Sequence, residues 1–269
     1  MMVNVKKNKL ILGYFVILLT FFSLISCKTT DYLNYKVEGK KIGITNEKGE
    51  NQEIVNYVAP YRNKITKELD SVLAYCPETL DKSKGKWQTV IGNLLAAITF
   101  EFGNPVFQKR HGKSIDFCLL NSGGIRSIIP EGNVTSRTAF EVMPFENSLY
   151  VVGLKGTQIR EMGTYLMSEK KPHPLYGIQF YVDKNDLSVK RILINGKAVE
   201  DDKIYYVATS DYLSNGGDNM TFFKESVEKY DMDYKLRNML IDYFKKVDTL
   251  PILKDEKINT NDWIINIQG

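Results

Sequence analysis

Histidine is scarce in this 269-residue chain: there are two, His111 and His173, set in the polar stretches KRHGK and KPHPL. Neither has a second His, Cys or carboxylate at ligand spacing, so a histidine-based metal centre is not expected. No G-x-S-x-G elbow, no Walker A loop and no dinucleotide fingerprint occurs, which removes the commonest local signatures of hydrolase, NTPase and dehydrogenase chemistry. Charge of one sign is also missing. The 36 Lys and Arg are dispersed among 32 Asp and Glu, for a net charge of +4, which describes a solvated surface and gives no basis for nucleic-acid binding. Neither internal repeats nor a low-complexity linker is present. With 43% hydrophobic residues, the chain has the material for one large core-forming domain.

Long apolar runs are absent with one exception. MMVNVKKNK is followed by LILGYFVILLTFFSLIS, a basic segment and then an apolar one, the layout of a secretory signal. The run closes on Leu24-Ile25-Ser26-Cys27, which resembles a bacterial lipobox. Residues 1–27 therefore read as a lipoprotein signal peptide with Cys27 as the lipidated residue. The competing reading is an uncleaved transmembrane anchor. Either way, the folded part is expected in the cell envelope, tethered to a bacterial membrane and facing the periplasm or exterior. Each lipid CH₂ buried contributes about 0.8 kcal/mol to such a tether. Only Cys76 and Cys118 remain, and the sequence is equally compatible with a disulfide and with buried thiols.

Residues 28–49 read as a tether and a first strand, Tyr35–Thr45, before a domain over 50–269. Ile54, Val58, Tyr61, Ile65, Leu69 and Val72 recur at helical spacing and predict an amphipathic helix. A second helix is expected from Val90 through Leu94, Leu95, Ile98 and Phe102. Ser114–Leu120 predicts a buried strand, and Thr138 with Glu141 a capping box opening a short helix before Pro144. Strands are expected at Leu149–Leu154, Gly177–Val182, Val189–Ile194 and Ile204–Thr209. Helices are expected at Thr157–Met167 and Tyr234–Lys246, and an edge strand at Trp263–Ile267. Alternating helices and strands with hairpin neighbours define an α+β class.

The chain is richer in binding elements than in catalysts. The apolar run to Leu120 opens into NSGGIR, where Gly123 and Gly124 permit positive φ and a close backbone approach. Asn121 offers a donor and an acceptor to a heterocycle edge, and Arg126 a planar fork to an oxyanion. Further on, SDYLSNGGD sets Tyr212 and Asp218 around the forced turn Gly216-Gly217, and Asp218 can accept hydrogen bonds from adjacent hydroxyls such as those of a ribose. Phe145, after Pro144, is either a core plug or, with Tyr212, an aromatic clamp on a flat base, where stacking is worth about 1–3 kcal/mol.

These residues resemble the C-terminal, substrate-binding domain of the 5′-nucleotidase family. The marks are Asn121–Arg126, Gly132–Thr135 with Pro144–Phe145, Leu154–Ile159 and Leu213–Asp218, in family order. The resemblance covers most of residues 50–246 and implies a four-layer α/β/β/α sandwich with a nucleoside pocket. In it, Phe145 and Tyr212 would stack the base, Asn121 would contact its edge, Arg126 would face the phosphate and Asp218 the ribose. The chain departs from the family in three ways. Trp87 and Gln88 stand upstream of Gly92–Asn93 where an arginine is frequent, Ser122 replaces a glycine, and Tyr212 replaces the usual phenylalanine. The D-x-H, G-N-H-[ED] and G-H-x-H metal motifs of the family's metallophosphatase domain are absent. The resemblance therefore implies a nucleoside- or nucleotide-binding half without cofactor or catalytic residues, serving a metallophosphatase on a separate chain. A nucleoside-capturing envelope lipoprotein and an interaction protein with a decayed pocket are the alternatives.

Overall fold

The computed structural model describes residues 5–23, 38–45, 49–183, 185–253 and 265–268. Two compact units divide between Gln52 and Glu53. In the first, helix α1 (Val5–Ser23) carries most of the apolar run read in the sequence. Cys27 and the tether lie outside the described residues. The expected first strand is not formed: residues 38–45 are irregular, and 35–37 are not described. Gly39 and Gly43 interrupt that loose alternation, and glycine is a poor strand former.

The second unit opens with α2 (Gln52–Leu69), followed by β1 (Val72–Cys76) and α3 (Val90–His111). The chain continues through β2 (Phe117–Leu119), β3 (Gly132–Thr135), α4 (Ser136–Val142), β4 (Ser148–Lys155) and α5 (Gly156–Glu169). The strands β5 (Leu175–Tyr176), β6 (Ile178–Asp183), β7 (Val189–Ile194), β8 (Lys197–Ala198) and β9 (Ile204–Ser210) come next. The last elements are α6 (Asp211–Ser214), β10 (Glu228–Lys235), α7 (Leu236–Lys246) and β11 (Ile265–Gln268).

The central sheet runs β10-β4-β9-β2-β5, and its one parallel pair, β2 with β9, aligns Phe117 with Val207 and Cys118 with Ala208. Both faces of this sheet are covered, which is why β2, β4 and β9 read as near-continuous apolar runs. Leu149, Val151, Cys118 and Ala208 face a core completed by α3 and α7. Val152, Leu154, Phe117, Leu119 and Val207 face a second core, shared with α5 and the sheet β11-β6-β7-β8. The result is the expected α+β class, helices and sheets in layers.

Helix α3 is the spine of the first core. Thr89 caps it by accepting from the Gly92 N–H at 3.1 Å, and Gly112, at φ 67°, ends it by donating to the Gln108 carbonyl. Among the described residues it is the one helix long and apolar enough to cross a membrane. It is a core helix: Ile91, Leu94, Leu95, Ile98 and Phe107 are buried in the domain.

Several expectations shift. The α4 capping box is built on Thr135 and not on Thr138: Thr138 takes the third helical position, where its Oγ1 accepts from the Thr135 N–H, and Glu141, expected in that role for Thr138, lies inside the helix. The helix expected through Val72 stops at Leu69, and Val72 begins a strand paired with Thr135. No residue of α2 is buried; of its expected apolar stripe, Ile54, Tyr61 and Ile65 lie on the surface, and Val58 and Leu69 are half-buried. Cys76 and Cys118 are both buried free thiols, and burial pushes the Cys118 thiol far above its ordinary pKa.

Candidate functional site

Asn121 and Asp218 are 97 residues apart in sequence, yet Asn121 Nδ2 donates to Asp218 Oδ2 at 2.9 Å. Topology explains the meeting. Because β2 and β9 are parallel neighbours, the segment that leaves each of them emerges at the same end of the sheet. That end, beyond the carboxyl termini of adjacent parallel strands, is where open α/β sheets characteristically hold ligands. The two glycine turns line one cavity of about 380 Å³, within the usual range for small-molecule sites.

The first turn contributes Asn121, Gly123, Gly124 and Arg126 to the cavity, and the second contributes Tyr212 and Asp218. Phe145 and Asn147 come from the loop between α4 and β4. Phe145 is 49% exposed and Tyr212 45%. Such large rings left open to solvent inside a concavity are available to a flat ligand, and Phe145 is a wall of the cavity instead of a core plug. The Arg126 guanidinium lies 5.9 Å from the Phe145 ring centroid, and its Nη1 donates to the Gly123 carbonyl at 3.5 Å.

Asp218 is the node of the site. Its Oδ1 accepts from the Tyr212 hydroxyl at 2.8 Å, and its own N–H donates back to that hydroxyl at 3.1 Å. Tyr165, reaching across from α5, donates to the Asp218 carbonyl at 2.5 Å. Burial, with help from Glu169, raises the Tyr165 phenol to about 12, so it stays a donor at neutral pH. These bonds hold Asp218 at φ 51°, a left-handed conformation that is unfavourable for a residue with a side chain. Each carboxylate oxygen retains a lone pair for a ligand hydroxyl. One of the two Asn121 amide N–H groups is engaged by Asp218, so its second N–H and its Oδ1 acceptor remain toward a ligand.

The four glycines do different work. Gly216, at φ 83°, makes the turn, and a Cβ on Gly217 would stand 2.5 Å from the Tyr212 ring. Neither of these two lines the cavity; they let the chain fold beneath Tyr212. Gly123 and Gly124 form a short 3₁₀ turn with Ser122, and neither takes the positive φ expected of them. A Cβ on Gly124 would lie 3.1 Å from Asn121 Oδ1, so this pair supplies room beside Asn121.

Trp87 does not line the cavity. It packs against the second core with its Nε1 lacking a partner, and Lys86 Nζ stands 5.3 Å from its ring. Beside the site, sharing Gly123, a second cavity of about 270 Å³ is lined by Lys82, Ser83, Thr89 and Ser122 among others. Asn147 was missed in the sequence although it lies two residues beyond Phe145, and Tyr165 carried no local signal at all.

His173 supports the first turn from behind, its Nδ1 accepting from the Ser122 N–H at 3.3 Å. It is only 3% exposed, and burial lowers its pKa from 6.5 to about 4. The unfolded chain therefore takes up this proton first, so the stabilisation is complete above pH 6.5 and is lost as pH falls toward 4. The loss approaches about 3 kcal/mol. Urea unfolding across that window should show His173→Gln losing correspondingly less stability than the wild type; parallel profiles would refute the assignment.

A mixed sheet thus brings two loops to one aromatic-walled cavity whose size suits a small molecule. The family model for the 5′-nucleotidase C-terminal domain matches residues 72–225, and the chain belongs to that family. It is 26% identical over 214 residues to the trifunctional nucleotide phosphoesterase protein YfkN of Bacillus subtilis, covering 74% of this chain and 14% of that protein. It is 26% identical over 192 residues to protein UshA of Escherichia coli, covering 67% of this chain and 32% of UshA. The chain thus spans a third or less of these relatives' length. In fold it is similar to a 5′-nucleotidase precursor from Thermus thermophilus, with TM-score 0.62, 22% identity and coverage of 77% and 42% of the two chains. The NAD nucleotidase of Haemophilus influenzae gives TM-score 0.60 at 16% identity, with coverage of 82% and 42%. Among the described residues no cluster of three or more His, Cys, Asp or Glu is arranged to hold a metal.

Proposed function

We propose that this chain is the nucleoside- or nucleotide-binding half of a 5′-nucleotidase. The observation that carries the reading is the single cavity in which Asn121, Arg126, Phe145, Tyr212 and Asp218 converge. A purine or pyrimidine lies between the half-exposed rings of Phe145 and Tyr212, Asn121 meets its edge, the ribose hydroxyls bond Asp218, and a 5′-phosphate extends toward Arg126. Family membership and relatives named as a nucleotide phosphoesterase and 5′-nucleotidases support the ligand class.

Hydrolysis requires groups these residues do not supply. Metal ions on a separate metallophosphatase domain would activate water for attack on phosphorus. This chain's own share of catalysis is orientation, because fixing the reacting group removes much of the entropic barrier. The role fits nucleotide breakdown in the cell envelope. Calorimetric titration of the full chain in detergent with adenosine and AMP tests the binding claim. Saturable binding supports it, and tighter binding of AMP assigns Arg126 to the phosphate. No heat at millimolar ligand would remove it.

The same reading tethers the protein by lipid at Cys27, on the strength of the basic and apolar segments before that cysteine. Cells fed labelled palmitate should incorporate label into the wild type and not into Cys27→Ser; equal labelling would exclude this anchor.

A further inference from the structure

The loop Met143–Asn147 brings Phe145 and Asn147 to the cavity, and three successive residues hold it from outside. Lys235 Nζ donates to the Glu146 carbonyl and to Ser148 Oγ, each at 2.8 Å. The Leu236 N–H donates to the Asn147 carbonyl at 3.0 Å. Arg237 Nη1 donates to the Pro144 carbonyl at 3.0 Å and the Met143 carbonyl at 3.4 Å, while its Nη2 pairs with the Glu146 carboxylate. Arg237 is 6% exposed, and its guanidinium carbon lies 4.0 Å from the ring centroid of Phe140, on the helix that leads into the loop.

A buried guanidinium is costly unless paired, and this one divides its fork between two backbone carbonyls and the Glu146 carboxylate of a surface loop. Arg237 and Lys235 do not line the cavity; their reach into it is through Phe145 and Asn147. We propose that Arg237, assisted by Lys235, is a positioning residue for ligand recognition: it locks the Met143–Asn147 loop so that Phe145 stands ready as the fixed wall opposite the second turn. This rests on the reading of the cavity as a nucleoside site. Apparent affinity scales with the fraction of molecules in the competent state, so a loop that holds Phe145 in place only one-tenth of the time binds about ten-fold more weakly.

The test uses the full chain in detergent and two readouts, neither of which requires the other. Without ligand, hydrogen exchange of the two amides that tie the loop, Met143 N–H on the Ala139 carbonyl and Leu236 N–H on the Asn147 carbonyl, should accelerate about ten-fold in Arg237→Met while α3 keeps its protection. With adenosine, Arg237→Met should lose about ten-fold in affinity, Arg237→Lys less, and the effect should shrink below about two-fold in a Phe145→Ala background. Unchanged loop exchange, or the same affinity loss with and without Phe145, would overturn the proposal. If the wild type binds no adenosine, the nucleoside reading fails, and the exchange result still decides whether Arg237 holds the loop. Should Arg237→Met not fold, the half-buried Lys235→Met carries the same comparison with a smaller expected effect.

Discussion

Gly156→Ala is expected to lower folding stability by about 3 kcal/mol, the upper end of the usual cost of overpacking. Gly156 opens α5, directly after β4, and its N–H donates to the Lys203 carbonyl at 3.0 Å. A Cβ there would stand 2.1 Å from the Glu200 carbonyl oxygen and 2.9 Å from the Asp201 Cα. These are backbone atoms, so no side chain can swing aside; the turn before β9 must move. That turn feeds the strand whose end carries Tyr212 and Asp218, so its displacement also threatens the cavity. The glycine of the Leu154–Ile159 motif is thus explained by contact distance, since its φ is not positive. Urea unfolding at neutral pH measures the effect, and a loss below about 1 kcal/mol would mean that the turn yields easily.

Asp218→Ala should weaken adenosine binding by about 100-fold. Two hydroxyl bonds to a charged acceptor contribute about 1.5–3 kcal/mol each, and part of this is recovered by water in the variant. The same substitution frees the Tyr212 hydroxyl and the Asn121 amide, both of which Asp218 now holds. Asp218→Asn separates the contributions. Asparagine tolerates the left-handed conformation and keeps one acceptor, so it should fall between wild type and alanine. Binding of Asp218→Ala within about three-fold of wild type would dissociate Asp218 from the ligand.

Much of this frame was legible in the sequence for a physical reason. Strands β2, β4 and β9 are buried on both faces, so they appear as apolar runs that few other structures would tolerate. The turns after two of them announce themselves through paired glycines. Other elements hide because their stabilising groups look like ordinary surface residues. β10 (EKYDMDYK) lies at a sheet edge, and Met232 is its one fully buried side chain, so its alternation is lost among charges. Arg237 reads as a solvated residue opening an amphipathic helix, although it is nearly fully buried. α2 errs the other way: its apolar spacing promised burial, yet Ile54, Tyr61 and Ile65 are exposed and no residue of the helix is fully buried.

The site was legible residue by residue, and its assembly was not. Nothing local in NSGGIR or SDYLSNGGD says that β2 and β9 run parallel and adjacent, which is what brings Asn121 to Asp218. The role of Gly123 and Gly124 was likewise beyond local reading. Paired glycines advertise conformational freedom, and here they provide space beside Asn121 instead.

In the proposed function the cavity holds a nucleoside, with its base between Phe145 and Tyr212 and its ribose on Asp218. The most direct measurement is a crystal structure of the protein soaked with adenosine. The expected result is a base within stacking distance of both rings and the two ribose hydroxyls within about 3 Å of the Asp218 carboxylate. An adenosine bound elsewhere, or a cavity holding only solvent at millimolar adenosine, would contradict it.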